Sequence, residues 1–356
     1  MSGISRRALA RAGLGAGTAA AIGSAGGARA QGLTKVRIWG ASATIEAYHG
    51  FLFLGIPLGF YRDQGIDTEF GTAAGSAATL QLVATNQAQI GYVGMEVMIL
   101  AKQRNPTLPV QAVYLHDRGN IYEIVVPEDS GINSVADLKG KAIGVANLAS
   151  GALPSLRAML TDAGLNPQND VQMLPVGNGA AAATALRTNR VQALSLFRAQ
   201  HAVIETLGVK LRYFQRDQPS AVLIANTNFM RQNPDAVVGA LRGVVAGSIF
   251  AQVAPRATVR EHWKMFTRPT GLTEEEAMAR ATHVLARSAE LWKRWDDTST
   301  PWGSMTRAQW DRTQTFMVEQ GLMPAPVDSD TLFTTRFIEP VNAMDTQPIL
   351  QRARSA

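Results

Sequence analysis

The chain has 356 residues, 46% of them hydrophobic and 17% charged, which is room for about two globular domains of ~150 residues and excludes intrinsic disorder. It contains no cysteine, so disulfides, thiolate nucleophiles, Cys-ligated zinc, Cys-held iron–sulfur clusters and a lipid-modified N-terminal cysteine are all excluded. The net charge of +6 invites a nucleic-acid reading, but Arg6, Arg7, Arg11 and Arg29 stand in residues 1–30 without an acidic partner, leaving +2 for the rest.

Residues 1–30 read as an export leader. Ser5-Arg6-Arg7-Ala8-Leu9 precedes an uncharged Ala/Gly-rich run, 12–28, and Ala28-Arg29-Ala30 offers a small-x-small cleavage site near Ala30. Adjacent arginines before a weakly apolar stretch resemble a twin-arginine signal peptide. Seven glycines, with Ile4, Leu9, Leu14 and Ile22 as the large aliphatics, fall short of the ~20 mostly apolar residues of a membrane span. The mature chain is expected to be soluble and extracytoplasmic, in a periplasm.

Apolar/polar alternation predicts a strand at 35–39, with further strands at 66–70, 90–93, 110–115, 121–126, 142–146, 171–176 and 191–197. Helices are expected at 77–85, 154–163 and 180–187, with Gly65 and Gly164 as C-terminal stops. Strands alternating with helices imply right-handed crossovers, hence an α/β fold with mainly parallel sheets. Beyond about Asn226 the pattern turns helical. A long helix is expected at 233–253 before Pro255, a second from the capping box Thr273-Glu274-Glu275-Glu276 to about 295, and a third at 306–320 before Gly321. Such a tail must bury its apolar stripe, and the first α/β unit is the expected partner. No internal repeat is visible.

Catalytic constellations are scarce. His49, His116, His201, His262 and His283 show no metal-ligand spacing, and neither a GxSxG elbow nor a GxxxxGK[ST] loop is present. Gly177-Asn178-Gly179 follows a strand and opens a helix, but Phe197-Arg198-Ala199-Gln200 stands where a dinucleotide site needs an acid, so these glycines read as a tight turn. No cofactor, metal or nucleic-acid partner is expected. What recurs is a strand ending in small or amide residues before a helix: Gly75-Ser76-Ala77, Gly94-Met95-Glu96, the 147–154 loop, and Gly177-Asn178-Gly179. In a parallel sheet such turns lie at the carboxyl edge, where free N–H groups at helix starts favour an anionic or strongly polar ligand. Four of them, divided between two α/β units, point to a cleft between lobes.

Four runs carry a resemblance. They are Gly59-Phe60-Tyr61-Arg62-Asp63-Gln64-Gly65-Ile66-Asp67-Thr68-Glu69; Gly75-Ser76 through Ala88-Gln89-Ile90-Gly91; Asp129-Ser130-Gly131-Ile132 through Asp137-Leu138-Lys139-Gly140-Lys141; and Asn233-Pro234-Asp235-Ala236-Val237. In this order, over roughly 35–250, the chain resembles the periplasmic solute-binding proteins of the nitrate/sulfonate/taurine and thiamine-pyrimidine-precursor family, with Gln89 replacing the usual Asp. The resemblance implies a type II periplasmic-binding-protein fold. Lobe one would be 32–120 plus 218–356 and lobe two 121–217, joined by hinge strands near 120–123 and 218–222 and closing on a solute.

Carried over by position, the ligand would meet Ser42, Thr44, Ser76, Gly94, Glu96, Asn147, Ser150, Gly151, Asn178, Phe197 and Arg198. Phe197 would keep an aromatic wall, and Arg198 would face either an anionic head group or solvent. Glu96 pulls toward an amine or pyrimidine donor; if it pairs with Arg198, neither reports on the ligand. His116 and Asp117 end a strand at the same edge, with His116 read as structural. The resemblance implies a monomeric, non-enzymatic receptor for a small polar or anionic solute of the sulfonate, taurine or nitrate type, delivering it to an inner-membrane ABC permease. The alternatives are a pyrimidine thiamine precursor, an aromatic carboxylate, or an enzyme on the same fold. The thiamine-pyrimidine synthases resembling this family use a cysteine-rich iron motif that a cysteine-free chain cannot supply.

Overall fold

In the computed structural model, residues 32–42, 44–148 and 150–356 are described; the leader expected at 1–30 lies outside them. In chain order the strands are β1 (Thr34–Gly40), β2 (Ile66–Thr72), β3 (Ile90–Gly94), β4 (Val110–Asp117), β5 (Tyr122–Pro127), β6 (Ala142–Val145), β7 (Gln172–Pro175), β8 (Ala193–Phe197), β9 (Leu211–Phe214) and β10 (Ala221–Asn226). They form two five-stranded sheets, ordered β2-β1-β3-β10-β4 and β7-β6-β8-β5-β9.

Each sheet is parallel apart from one strand, β10 in the first and β5 in the second. The inversion follows from connectivity. β4 and β9 end at the gap between the sheets, and the chain crosses there. The next strand starts at the gap and can only run away from it, against its neighbours. The two crossings are tied together: Ser220 Oγ donates to Gly119 O at 2.7 Å and accepts from Ile121 N–H at 3.2 Å, and Gln215 Nε2 donates to Asn120 O at 2.9 Å.

Helices α1 (Gly50–Phe53), α2 (Ser76–Ala84) and α3 (Met95–Arg104) belong with the first sheet, and α4 (Leu153–Asp162), α5 (Gly179–Arg187) and α6 (Arg198–Thr206) with the second. After the return crossing come α7 (Thr227–Gln232), α8 (Pro234–Val253), α9 (Pro255–Met265), α10 (Glu274–Ala289), α11 (Arg307–Glu319), α12 (Ile338–Asn342) and α13 (Gln347–Arg354). Gly65 ends the short turn before β2 at φ 76° and Gly164 follows α4 at the same φ, the left-handed positions that only glycine adopts freely. The capping box at Thr273 forms, but α10 stops at Ala289 rather than near 295.

The two lobes are topological copies, which corrects the expectation of no repeat. The copy shows in one short motif, Thr85-Asn86-x-x-Gln89 and Thr188-Asn189-x-x-Gln192. In both, the Asn adopts φ near 55° at a helix end and the Gln Oε1 accepts a backbone N–H of the central strand side, from Arg37 at 2.9 Å and Ala142 at 3.0 Å. Gln89, where the related pattern has Asp, thus supplies an acceptor to the strand.

The largest core lies behind the first sheet. Helix α8 is long and apolar enough to cross a bilayer, yet 78% of that apolar window is buried, against α1, α12, α13 and the sheet. Small residues let it approach: a Cβ at Gly243 would stand 2.2 Å from the ring of Tyr61, which is buried and donates to Leu52 O at 2.7 Å. The tail thus packs on the first lobe, as its stripe requires, but α10 also reaches α6 of the second.

Candidate functional site

Four strands of each sheet point at the gap, so their last residues and the following helix starts converge there. A cavity of about 200 Å³ results. The first lobe supplies Ser42 and Tyr48-His49 from the loop after β1, Ser76 at the start of α2, Gly94 at the end of β3 and Asp117 at the end of β4. The second supplies Ile121-Tyr122 at the start of β5 and Phe197-Arg198 at the end of β8, and Leu291-Trp292, just past α10, complete the wall. The volume is below the ~300–1,000 Å³ usual for drug-sized ligands and suits one ring with small substituents.

The wall is aromatic and interlocked. Phe51 stacks on His116 with ring centroids 3.6 Å apart and meets Tyr92 and Trp292 edge-on at 5.1 and 5.3 Å. Among these rings sits Asp117, 3% exposed, accepting from the Tyr92 hydroxyl. Burial pushes its carboxyl up to about 7, against the hydrogen bonds from Tyr92 and Trp292, which pull it down. Glu96, in the first turn of α3, is also raised to about 7 by burial, with Gln218 Nε2 donating to it at 3.1 Å. Burial lowers His49 to about 4 and His116 to about 3, so both are neutral at pH 7. The Nδ1 of His49 accepts from Glu46 N–H at 3.0 Å, which leaves the ring proton on Nε2, and the residue lines the cavity.

Of the residues expected from sequence, Ser42, Ser76, Gly94, Phe197 and Arg198 line this cavity. Ser76 Oγ accepts from Gly94 N–H at 3.0 Å, joining the two turns. Glu96 lies just behind them. Thr44, Asn147 and Asn178 are exposed and outside the lining. Ser150 Oγ accepts from Ala152 N–H at 3.2 Å and shapes the approach to α4, while Gly151 packs on the Tyr122 hydroxyl, where a Cβ would stand 2.8 Å away.

Arg198 is buried and does not face solvent. Its guanidinium pairs with Glu123, which is fully buried, and with Glu290 at 2.8 Å, and its partner is not Glu96. His116 is structural in the sense that its ring packs on Phe51, but its neighbour Asp117 lines the cavity. Tyr92, Tyr122 and Trp292 were missed by sequence reasoning. Tyr92 lies within β3 and Tyr122 opens β5, strands whose positions were legible; Trp292 follows a tail helix, and nothing local to it points at the cleft. Among the described residues no cluster of three or more His, Asp or Glu could hold a metal ion.

A family model described as NMT1/THI5-like matches residues 46–258. The chain is 20% identical over 318 residues to YtlA of Bacillus subtilis, covering 87% of this chain and 91% of that protein. It is 22% identical over 210 residues to the formylaminopyrimidine-binding protein of Halalkalibacterium halodurans, covering 57% of this chain and 62% of the relative. The crystal structure of the periplasmic aliphatic sulphonate-binding protein SsuA from Escherichia coli superposes with a TM-score of 0.61 at 17% identity, over 85% of this chain and 92% of that one. That likeness identifies the architecture as the periplasmic-binding-protein fold.

Proposed function

The chain belongs to the NMT1/THI5-like family, and on that footing we propose that it is an extracytoplasmic solute receptor whose interlobe cleft takes a small, flat, nitrogen-rich ring of the aminopyrimidine class. One observation carries this reading: the guanidinium that lines the cavity is already paired with Glu123 and Glu290, while Asp117 lines the same space. Sulfonate and nitrate keep a full negative charge, and desolvating one beside a carboxyl, without a free cation, costs several kcal/mol. A neutral heteroaromatic ring instead stacks among Phe51, Tyr92, Tyr122 and Trp292, donates an amino N–H to Asp117 and accepts from His49 Nε2–H. The name of the Halalkalibacterium relative supports the same solute class.

In this reading the lobes, 32–120 plus 218–356 and 121–217, close about the paired crossings, and the loaded form delivers its solute to an ABC permease without chemical turnover. The twin-arginine leader would carry the chain to the periplasm. Calorimetric titration of the purified chain with 4-aminopyrimidines, alkanesulfonates, taurine, nitrate and benzoates tests it. Saturable heat with the aminopyrimidines and none with the sulfonates or nitrate is expected. The reverse pattern overturns the solute class, and product formation from any of these compounds overturns the receptor reading.

A further inference from the structure

Besides the two chain crossings, several non-covalent contacts join the lobes, among them Ala158 of α4 packed in the first lobe's core and Arg216 over the Phe316 ring, and the one richest in charge lies at α10. Helix α10 is seated on the first lobe, against α9 and the 47–49 turn, and its opposite side packs on α6 of the second lobe, the most extensive contact between helices of the two lobes. Val284 is buried there against Ala199 and Ala202. Around this apolar patch runs a seam of alternating charge. His283 Nε2 and Arg287 Nε meet Glu205 Oε2 at 2.7 and 3.1 Å, and Tyr213 Oη donates to Glu205 Oε1 at 2.8 Å. Arg287 then reaches Glu290, which also takes Arg198 at 2.8 Å, and Arg198 ends the seam on buried Glu123. Arg287 lies over the Tyr213 ring, 4.7 Å from its centroid.

His283, Arg287 and Glu290 belong to the first lobe; Glu205, Tyr213, Arg198 and Glu123 belong to the second. The crossings are cross-linked to each other and form a pivot, so any rotation that opens the cleft must separate α10 from α6. Every pairing in this seam is between side chains of the protein itself, and Arg198 is the member that also lines the cavity. We propose that the α10–α6 seam is a latch that holds the empty cleft shut, so that the rate of solute entry and exit is set by its rupture. This rests on the fold and the seam alone, and a failed solute screen leaves it standing.

Because the chain has no cysteine, a Cys pair introduced at exposed Ala78 of α2 and Arg157 of α4 can be spin-labelled without background, and the interlobe distance measured by pulsed electron resonance with no solute present. The otherwise unchanged chain should give a single short distance. Glu205→Gln with Glu290→Gln should shift the open-to-closed ratio about tenfold toward open, the equivalent of about 1.4 kcal/mol. In 1 M salt, where the Debye length is ~3 Å, the parent should open and the double variant should change little. A folded double variant with the parent's distance distribution overturns the latch. Should the double variant fail to melt cooperatively, Glu290→Gln alone, at a half-exposed position, decides by the same criterion.

Discussion

Asp117 lines the cavity with the Tyr92 hydroxyl bonded to its carboxyl, so a solute bringing an N–H to it finds an acceptor that burial has stripped of water. Asp117→Asn should weaken an aminopyrimidine by roughly 1.5–3 kcal/mol, the scale of a charge-assisted hydrogen bond, as read by calorimetry. Unchanged affinity would remove Asp117 from the site. Arg198 calls for a different measurement. Its replacement by Ala leaves Glu123, 0% exposed, with only His201 Nδ1 at 3.3 Å. A loss of about 3–5 kcal/mol in urea unfolding is expected, as for a broken buried pair, and a loss below about 1 kcal/mol would show the pair to be dispensable. Sequence placed Arg198 correctly at the end of a strand. It could not say where the guanidinium turns, because Glu290 stands at the C-terminal end of α10, 92 residues further on.

At the scale of elements, strand and helix positions were legible because hydrophobic period and turn residues are local signals. The inverted strands β5 and β10 were not, since their direction depends on where the chain crosses between sheets. Helix α8 shows the same limit. Its apolar composition fits a core helix and a membrane span equally, and the burial of Tyr61 against it decides for the core. Gly243→Ala should therefore lower stability by about 1–3 kcal/mol through overpacking against the Tyr61 ring, despite the ~1 kcal/mol that Ala gains over Gly in a helix. Chemical unfolding measures this, and a stabilised variant would mean that the ring has room to move.

For the whole molecule, buried titratable groups set opposing pH trends. Asp117 and Glu96, raised to about 7, contribute stability that is complete below their unfolded values near 4 and is lost as pH rises through 7. His49 and His116, lowered to about 4 and 3, contribute stability that is present above 6.5 and is lost as pH falls. The two trends compete between about pH 4.5 and 6.5. Asp117→Asn with Glu96→Gln removes only the first. The stability of this variant relative to the parent should rise from pH 5 to about 7, by at most about 1.4 kcal/mol per group per pH unit, and then level. Thermal or urea unfolding across that range tests it, and a gap independent of pH would refute the assignment.

The basic charge with which the chain presents itself is concentrated in residues 1–30, and composition alone was enough to see that. Sequence by itself also determined the α/β class, the helical tail, the family resemblance and the strand-end turns that supply Ser76, Gly94 and Phe197, because each depends on residues close together in the chain. The tertiary structure alone decided what surrounds the cleft. Trp292 reaches it from the tail, Asp117 loses its water among rings from three separate segments, and the charge on Arg198 is cancelled by carboxylates 75 and 92 residues away. Solvation and charge pairing are properties of everything that surrounds a group in space, and no local pattern encodes them.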